Sequence, residues 1–123
     1  MATPSILLVE DEAGLRELYE DELQKAGYLV FAVGNGEEGL SIAASRLPSI
    51  ILLDVMLPGQ SGLDVLAILK ANQKTANIPV VMMSALEDTD DRARGMSLGA
   101  KAYWGKNEVD PTSLVDKIKQ LIG

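Results

Sequence analysis

"IILLDVMLPGQSG", residues 50–62, sets four aliphatic residues ahead of a lone carboxylate, Asp54, and three more apolar residues ahead of Pro58 and Gly59. An aliphatic run of this kind, bounded by Pro and Gly, suits a short strand, "SIILL" (49–53), buried on both faces as inside a parallel sheet. Ser61 is then placed to cap a helix over residues 61–73. A charge among aliphatics costs free energy unless it is paired, bound to a metal or set at a strand end open to water. Asp54 therefore marks where this strand leaves the core.

The same alternation extends in both directions. "SILLV" (5–9) is a short buried strand, and residues 13–26 place Leu15, Leu18, Tyr19, Leu23 and Ala26 at helical spacing, with Gly27 as the stop. "YLVFAV" (28–33) is a second strand and "GEEGLSIAASR" (36–46) a second helix. After the central run, "PVVMM" (79–83) is a fourth strand, residues 87–98 a polar helix closed by Gly99, and "KAYW" (101–104) a last strand. Asp110 and Pro111 suit the N-cap and first position of a final helix reaching Ile122. Strand and helix in alternation predict an α/β fold, a five-stranded parallel sheet with helices on both faces. The first, third and fourth strands are apolar throughout, as central strands should be, and Lys101 suits an edge. In such open sheets, ligands bind beyond the carboxyl ends of the strands.

Composition narrows the chemistry. The 123 residues suit one domain with one sizeable core. Apolar residues make up 47% but aromatics only 4%, so Ile, Leu, Val, Ala and Met must fill that core. A formal net charge of −7 argues against nucleic acid and against an anionic membrane surface as direct ligands. No apolar run approaches the roughly 20 residues of a membrane span, and "MATPSILLVE" lacks the basic start and long apolar segment of a signal peptide. The expected location is the cytoplasm. With no Cys and no His, thiol nucleophiles, Cys/His zinc sites and a histidine base are excluded. Chemistry must rest on carboxylates, hydroxyls, lysine and a hard, oxygen-bound cation.

The strand ends supply such groups. Glu10, Asp11 and Glu12 follow the first strand, Asp54 the third, Ser84 the fourth, and Lys106 the fifth after one loop. In parallel strands these converge on one edge of the sheet. Two like charges about 5 Å apart at an effective dielectric near 20 repel by roughly 3 kcal/mol, so clustered acids call for a divalent cation and a nearby lysine. Such an ion would also offset the charge of an incoming phosphoryl group. Asp54 can then serve as a nucleophile forming an acyl phosphate, with Ser84 and Lys106 binding phosphoryl oxygens. Each residue also has a plainer reading. Asp11 or Glu12 can cap the first helix, Ser84 can be a turn residue, and Lys106 a solvated cation. Their joint placement after successive parallel strands favours the site.

At this point the chain resembles the receiver domains of two-component response regulators. The likeness rests on "ILLVEDE" (6–12), "LLDVMLPGQSGLDVL" (52–66), "VVMMSA" (80–85) and "GAKAYWGK" (99–106), and covers nearly the whole chain, read as a single domain over 1–123. It implies a flavodoxin-like sheet of order 2-1-3-4-5. It makes Asp54 the phosphoacceptor, Asp11 a direct magnesium ligand (manganese as an alternative ion), Glu10 a ligand acting mostly through water, and the Met56 carbonyl a further ligand. Ser84 becomes the switch hydroxyl, Lys106 the invariant lysine and Tyr103 the aromatic that rotates inward on activation. A surface of fourth helix, fifth strand and fifth helix would change state and meet an output domain or downstream protein. Having no histidine, the chain needs a sensor histidine kinase, a phosphotransfer protein or a small acyl phosphate as donor. Met56 and Leu86 would flank the path of attacking water, and as apolar residues they predict a long-lived phosphoryl state. Ending at its last helix, the chain suits a stand-alone regulator and one parted from an output domain equally.

Two departures stand out. Asn107 takes the place of the family's usual proline after the lysine. A cis bond to a non-proline residue costs about 2.5–4 kcal/mol, so a trans peptide and an altered loop are expected. Lys101 and Ala102 stand where a DNA-binding subfamily carries two acids of a charged dimer interface, and Tyr103 with Trp104 offers an apolar edge instead. Three rival readings are weaker. A haloacid dehalogenase-type enzyme carries a second acid where this chain has Met56. A flavodoxin-like carrier needs a phosphate loop where "EDEAG" would repel phosphate. A degenerate receiver, acting only as an interaction module, is set apart by whether Asp54 takes a phosphoryl group.

Overall fold

A computed structural model describes residues 3–85 and 89–122. Five strands, β1 (Ser5–Val9), β2 (Leu29–Val33), β3 (Ile50–Asp54), β4 (Val80–Ser84) and β5 (Ala102–Gly105), pair in parallel in the order 2-1-3-4-5. The α1 (Ala13–Lys25), α2 (Gly36–Arg46), α3 (Gly62–Ala71), α4 (Thr89–Ser97) and α5 (Pro111–Ile122) helices connect and follow them. The strand-and-helix alternation and the order implied by the resemblance are both realised. The order reverses beside β1, between β1 and β3, and the site lies at that crevice.

Strand alternation divides the core in two. Leu7, Val9, Ile51, Leu53 and Met82 face one side, where Ala43 of α2 and Leu63 and Leu66 of α3 cover them. Ile6, Leu8, Ile50, Leu52 and Met83 face the other, under Tyr19 and Leu23 of α1 and Leu114 and Ile118 of α5. Successive side chains of a strand point to opposite faces, so a run that is apolar at every position is what a strand buried on both faces requires.

Several boundaries differ from the sequence expectations. Leu18 does not join the core stripe of α1 and is 56% exposed. At about 100° per residue, Leu15, Tyr19, Leu23 and Ala26 form one stripe and Leu18 falls to its side. Strands β2, β3, β4 and β5 each begin one residue later than expected, so Asp54 and Ser84 are the last residues of β3 and β4 and Lys101 stands just ahead of the edge strand. The expected start of the polar helix and Leu86 lie outside the described residues. Asp110 caps α5 through the Ser113 N–H (2.8 Å), and Ser61 caps α3 through the Leu63 N–H (3.1 Å). Among the described residues, no helix is long and apolar enough to cross a membrane.

Between β3 and α3 the chain makes a small hairpin. Met56–Leu57 pairs antiparallel with Gln60–Ser61 around Pro58 and Gly59, with Gly59 at φ +76°. Pro followed by a positive-φ Gly is the type II turn pattern. The hairpin folds α3 back so closely that the Gly62 N–H donates to the Val55 carbonyl at 2.7 Å.

Candidate functional site

Three carboxylates converge at the carboxyl ends of β1 and β3. Oxygens of Glu10, Asp11 and Asp54 all lie within 4.8 Å of one another. Glu10 and Asp54 are buried, while Asp11 is exposed at the rim. Glu12, the third acid of the run, turns away and caps α1, accepting from the Gly14 and Leu15 N–H groups at 3.0 and 2.8 Å. Of the four acids, one thus does the ordinary helix-capping job and three form the cluster.

Lys106 reaches this cluster from the far side of the sheet. Its ammonium donates to Asp54 Oδ2 at 2.8 Å and pairs with Glu10 Oε1 at 2.5 Å. The other Asp54 oxygen, Oδ1, accepts from the Met56 N–H at 3.1 Å. Glu10 Oε2 accepts from the Glu12 N–H at 3.1 Å. Lys106 opens a 3-10 turn, Lys106–Glu108, and no described peptide is cis, so the bond to Asn107 is trans as expected. The altered loop still delivers the ammonium to the acids.

The electrostatics follow from burial. Burial pushes the Asp54 carboxyl up to about 7, helped by the charge of Glu10 and opposed by the hydrogen bond from Lys106. For Lys106, burial pulls downward, but its hydrogen bonds to Asp54 and Glu10 and their charges more than offset it, leaving the ammonium above its ordinary value. The lysine thus offsets part of a repulsion that an all-oxygen donor set could also relieve by binding a hard cation. Such an ion holds its ligands at about 2.0–2.6 Å, so oxygens this close need only small side-chain adjustments to share one.

Ser84 is buried at the end of β4, where its backbone pairs with Gly105, while Met83 pairs with Asp54. The hydroxyl therefore sits on the strand beside the carboxylate. Tyr103 is buried in the core against α3 and α4, with the Arg92 guanidinium 5.6 Å from its ring centroid. It is not half of an exposed apolar edge. Its neighbour Trp104 is partly buried, and the Lys117 ammonium lies 5.3 Å from its ring centroid. Met56 is 62% exposed at the mouth of the site.

Two contributors escaped the sequence reading. Arg16 donates to the Glu10 carbonyl (2.8 Å) and more weakly to that of Asp11 (3.5 Å), holding the acidic loop in place. Tyr19, read only as core, carries its hydroxyl to the Val109 carbonyl at 3.3 Å, next to the lysine loop. Neither has a local signal, because each acts across a contact that only the fold creates.

The fold and the acidic crevice together define a doubly wound α/β domain with its site at the carboxyl ends of parallel strands. Residues 6–119 match the response regulator receiver domain family. The phosphate regulon transcriptional regulatory protein PhoB of Pseudomonas aeruginosa is 35% identical over 122 residues, covering 99% of this chain and 53% of that protein. The transcriptional regulatory protein GltR of the same organism is 37% identical over 118 residues, covering 96% and 48%. The chain spans about half the length of these curated relatives. A CheY-like response regulator receiver domain protein from Methanospirillum hungatei superposes with a TM-score of 0.90 at 26% identity, over 98% of this chain and 94% of that one. This chain belongs to the response regulator receiver domain family and is a receiver domain of two-component signalling.

Proposed function

We propose that the chain accepts a phosphoryl group on Asp54 from a phosphohistidine of a sensor kinase or phosphotransfer protein, or from a small acyl phosphate. The observation that carries this reading is the meeting of the Glu10, Asp11 and Asp54 carboxylates with the Lys106 ammonium in one crevice. Glu10, Asp11, Asp54 and the Met56 carbonyl would hold Mg2+, or Mn2+ in its place. Bound there, the ion supplies positive charge that keeps the acids ionised and offsets the phosphoryl oxygens.

The chain's own groups do the rest. Asp54 presents a carboxylate oriented by two hydrogen bonds, from Lys106 and the Met56 N–H, so little ordering remains to be done on attack. An Asp54 oxygen bonds to phosphorus as the bond from phosphorus to the donor nitrogen or oxygen breaks, and the donor keeps the electron pair. Lys106 then shifts from its carboxylate partners onto a phosphoryl oxygen, a charge-assisted contact. Ser84 donates its hydroxyl to another oxygen. Phosphorylation adds about −1.5 to −2 charge, and the pull on Ser84 and Lys106 biases Tyr103 and the surface of α4, β5 and α5 toward a second state that an output domain or downstream protein reads. The apolar Met56 side chain cannot orient an attacking water, which favours a phosphoryl group that persists without a phosphatase. The rival reading, a phosphorylation-independent interaction module, has no observation in its favour.

Intact mass after incubation with Mg2+ and acetyl phosphate tests the proposal. One added phosphoryl group is expected, absent in Asp54→Ala. If neither acetyl phosphate nor a phosphorylated histidine donor modifies the chain, the proposal fails and the interaction module replaces it.

A further inference from the structure

The segment that carries Lys106 is short and held at two points. Upstream it leaves β5, where Gly105 pairs with Ser84. The 3-10 turn Lys106–Glu108 that follows has no side-chain cap of its own. Downstream, Val109 is buried, with its side chain in the core cluster that contains Tyr19. The Val109 carbonyl accepts the Tyr19 hydroxyl, from a residue 90 positions away that is 1% exposed. Lys106 stands between these anchors, and its ammonium must span to two different strands to meet Glu10 and Asp54.

We propose that Tyr19 is a positioning residue for Lys106: its hydroxyl ties the lysine loop to α1, the helix that also follows the acidic loop, so that both halves of the site share one rigid support. This rests on the reading of Asp54 as phosphoacceptor only for its kinetic consequence. The structural claim stands on the contact itself. Without the tie, the 3-10 turn keeps its ladder anchor at Gly105 and the buried Val109 side chain but gains freedom at the Val109 carbonyl. An ammonium at the end of a four-carbon stem loses its two-carboxylate geometry before the loop itself unfolds. Burial pushes the Tyr19 hydroxyl above its usual range, so it stays protonated and remains a donor at neutral pH. Arg16, on the same helix, holds the acidic loop through the Glu10 carbonyl, so α1 grips both loops.

Tyr19→Phe is the variant of choice, because it removes one oxygen and keeps the ring in the core. The first readout is the side-chain order of Lys106, from NMR relaxation at its Cε in the unphosphorylated protein, assigned by its loss in Lys106→Met. Wild-type Lys106 is expected to be ordered, and Tyr19→Phe to move it toward the mobility of exposed lysines such as Lys25. Unchanged Lys106 order would overturn the proposal. The second readout is the rate of Asp54 phosphorylation by acetyl phosphate in a double-mutant cycle. Tyr19→Phe should slow it by about twofold to tenfold, the span that one buried neutral hydrogen bond is worth. The same change should have no effect in the Lys106→Met background. Equal slowing in both backgrounds would overturn the assignment, since Tyr19 would then act on the fold rather than through the lysine. Should the wild type take no phosphoryl group, the proposed function falls, and the Lys106 order measurement still decides the tether.

Discussion

Asp54 holds its proton more tightly in the folded chain than in the unfolded one. Burial first, and the nearby charge of Glu10 next, raise its carboxyl from 3.8 to about 7, although Lys106 works against them. A raised carboxyl binds more protons in the native state across that window, so its contribution to stability falls as pH climbs from about 4 through 7. A shift of this size corresponds to a few kcal/mol by linkage. Asp54→Asn keeps the side-chain shape and removes the charge, leaving Glu10 to pair with Lys106. In EDTA, urea unfolding should show this variant more stable than wild type by about 2 kcal/mol at pH 8, with a smaller gain at pH 5. An equal difference at both pH values would mean that the ionisation of Asp54 is not what strains the site. The strain is consistent with a residue kept for chemistry rather than for stability.

The elements on either side of Asp54 show where local sequence logic suffices and where it stops. Ser61 and Asp110 cap their helices as expected, and α2 occupies the residues its pattern predicts. These rest on short-range chemistry, which a single sequence displays. The hairpin at Pro58 and Gly59 was visible only as a stop, and the need for Gly62 was not visible at all. A Cβ at Gly62 would lie 2.0 Å from the Asp54 carbonyl oxygen and 3.0 Å from the Val55 Cα. The atoms it would meet all belong to the Asp54–Val55 backbone, so nothing flexible can yield. Gly62→Ala should cost about 3 kcal/mol or more and, by moving the Asp54 backbone, slow phosphorylation; denaturant unfolding and intact-mass kinetics check both. Leu47 is the opposite case. It ends α2 at φ 49°, the left-handed region, while 55% exposed. A left-handed non-glycine residue costs about 1–2 kcal/mol, and Asn tolerates that conformation better. Leu47→Asn should therefore raise stability by about 0.5–1 kcal/mol, measured as a higher urea midpoint at unchanged slope; a lower midpoint would show that the Leu47 side chain contributes more than its backbone costs.

Across the molecule, what could be read in advance was whatever the strand ends announce. Glu10, Asp11, Asp54, Ser84 and Lys106 each end or follow a recognisable strand, and parallel topology alone brings strand ends together. Glu12 could not be told from its neighbours, because the choice between helix cap and cluster member is made by side-chain direction. Tyr19 and Arg16 were hidden because their partners are backbone carbonyls, which every residue possesses. The same topology supplies a route from the site to the sheet edge. Asp54 pairs with Met83, Met83 with Trp104, and Ser84 with Gly105, so two ladder rungs join Asp54 to Trp104. A pull on the Ser84 hydroxyl acts on the strand to which Trp104 is bonded. The Lys117 ammonium lies over the indole ring, 5.3 Å from its centroid, so a small shift between β5 and α5 changes the ring's electrostatic surroundings. Trp104 is the only tryptophan in the chain, which makes its emission an unmixed reporter. Beryllium fluoride with Mg2+, a stand-in for the acyl phosphate, should change Trp104 emission in the wild type and leave Asp54→Ala unaltered. Ser84→Ala should bind the fluoride yet return a smaller change, because Asp54 is intact and the hydroxyl link is gone. An equal response in Ser84→Ala would move the coupling from Ser84 to Lys106, whose loop runs on directly from β5. A response in Asp54→Ala would mean that the indole reports the ions rather than the site.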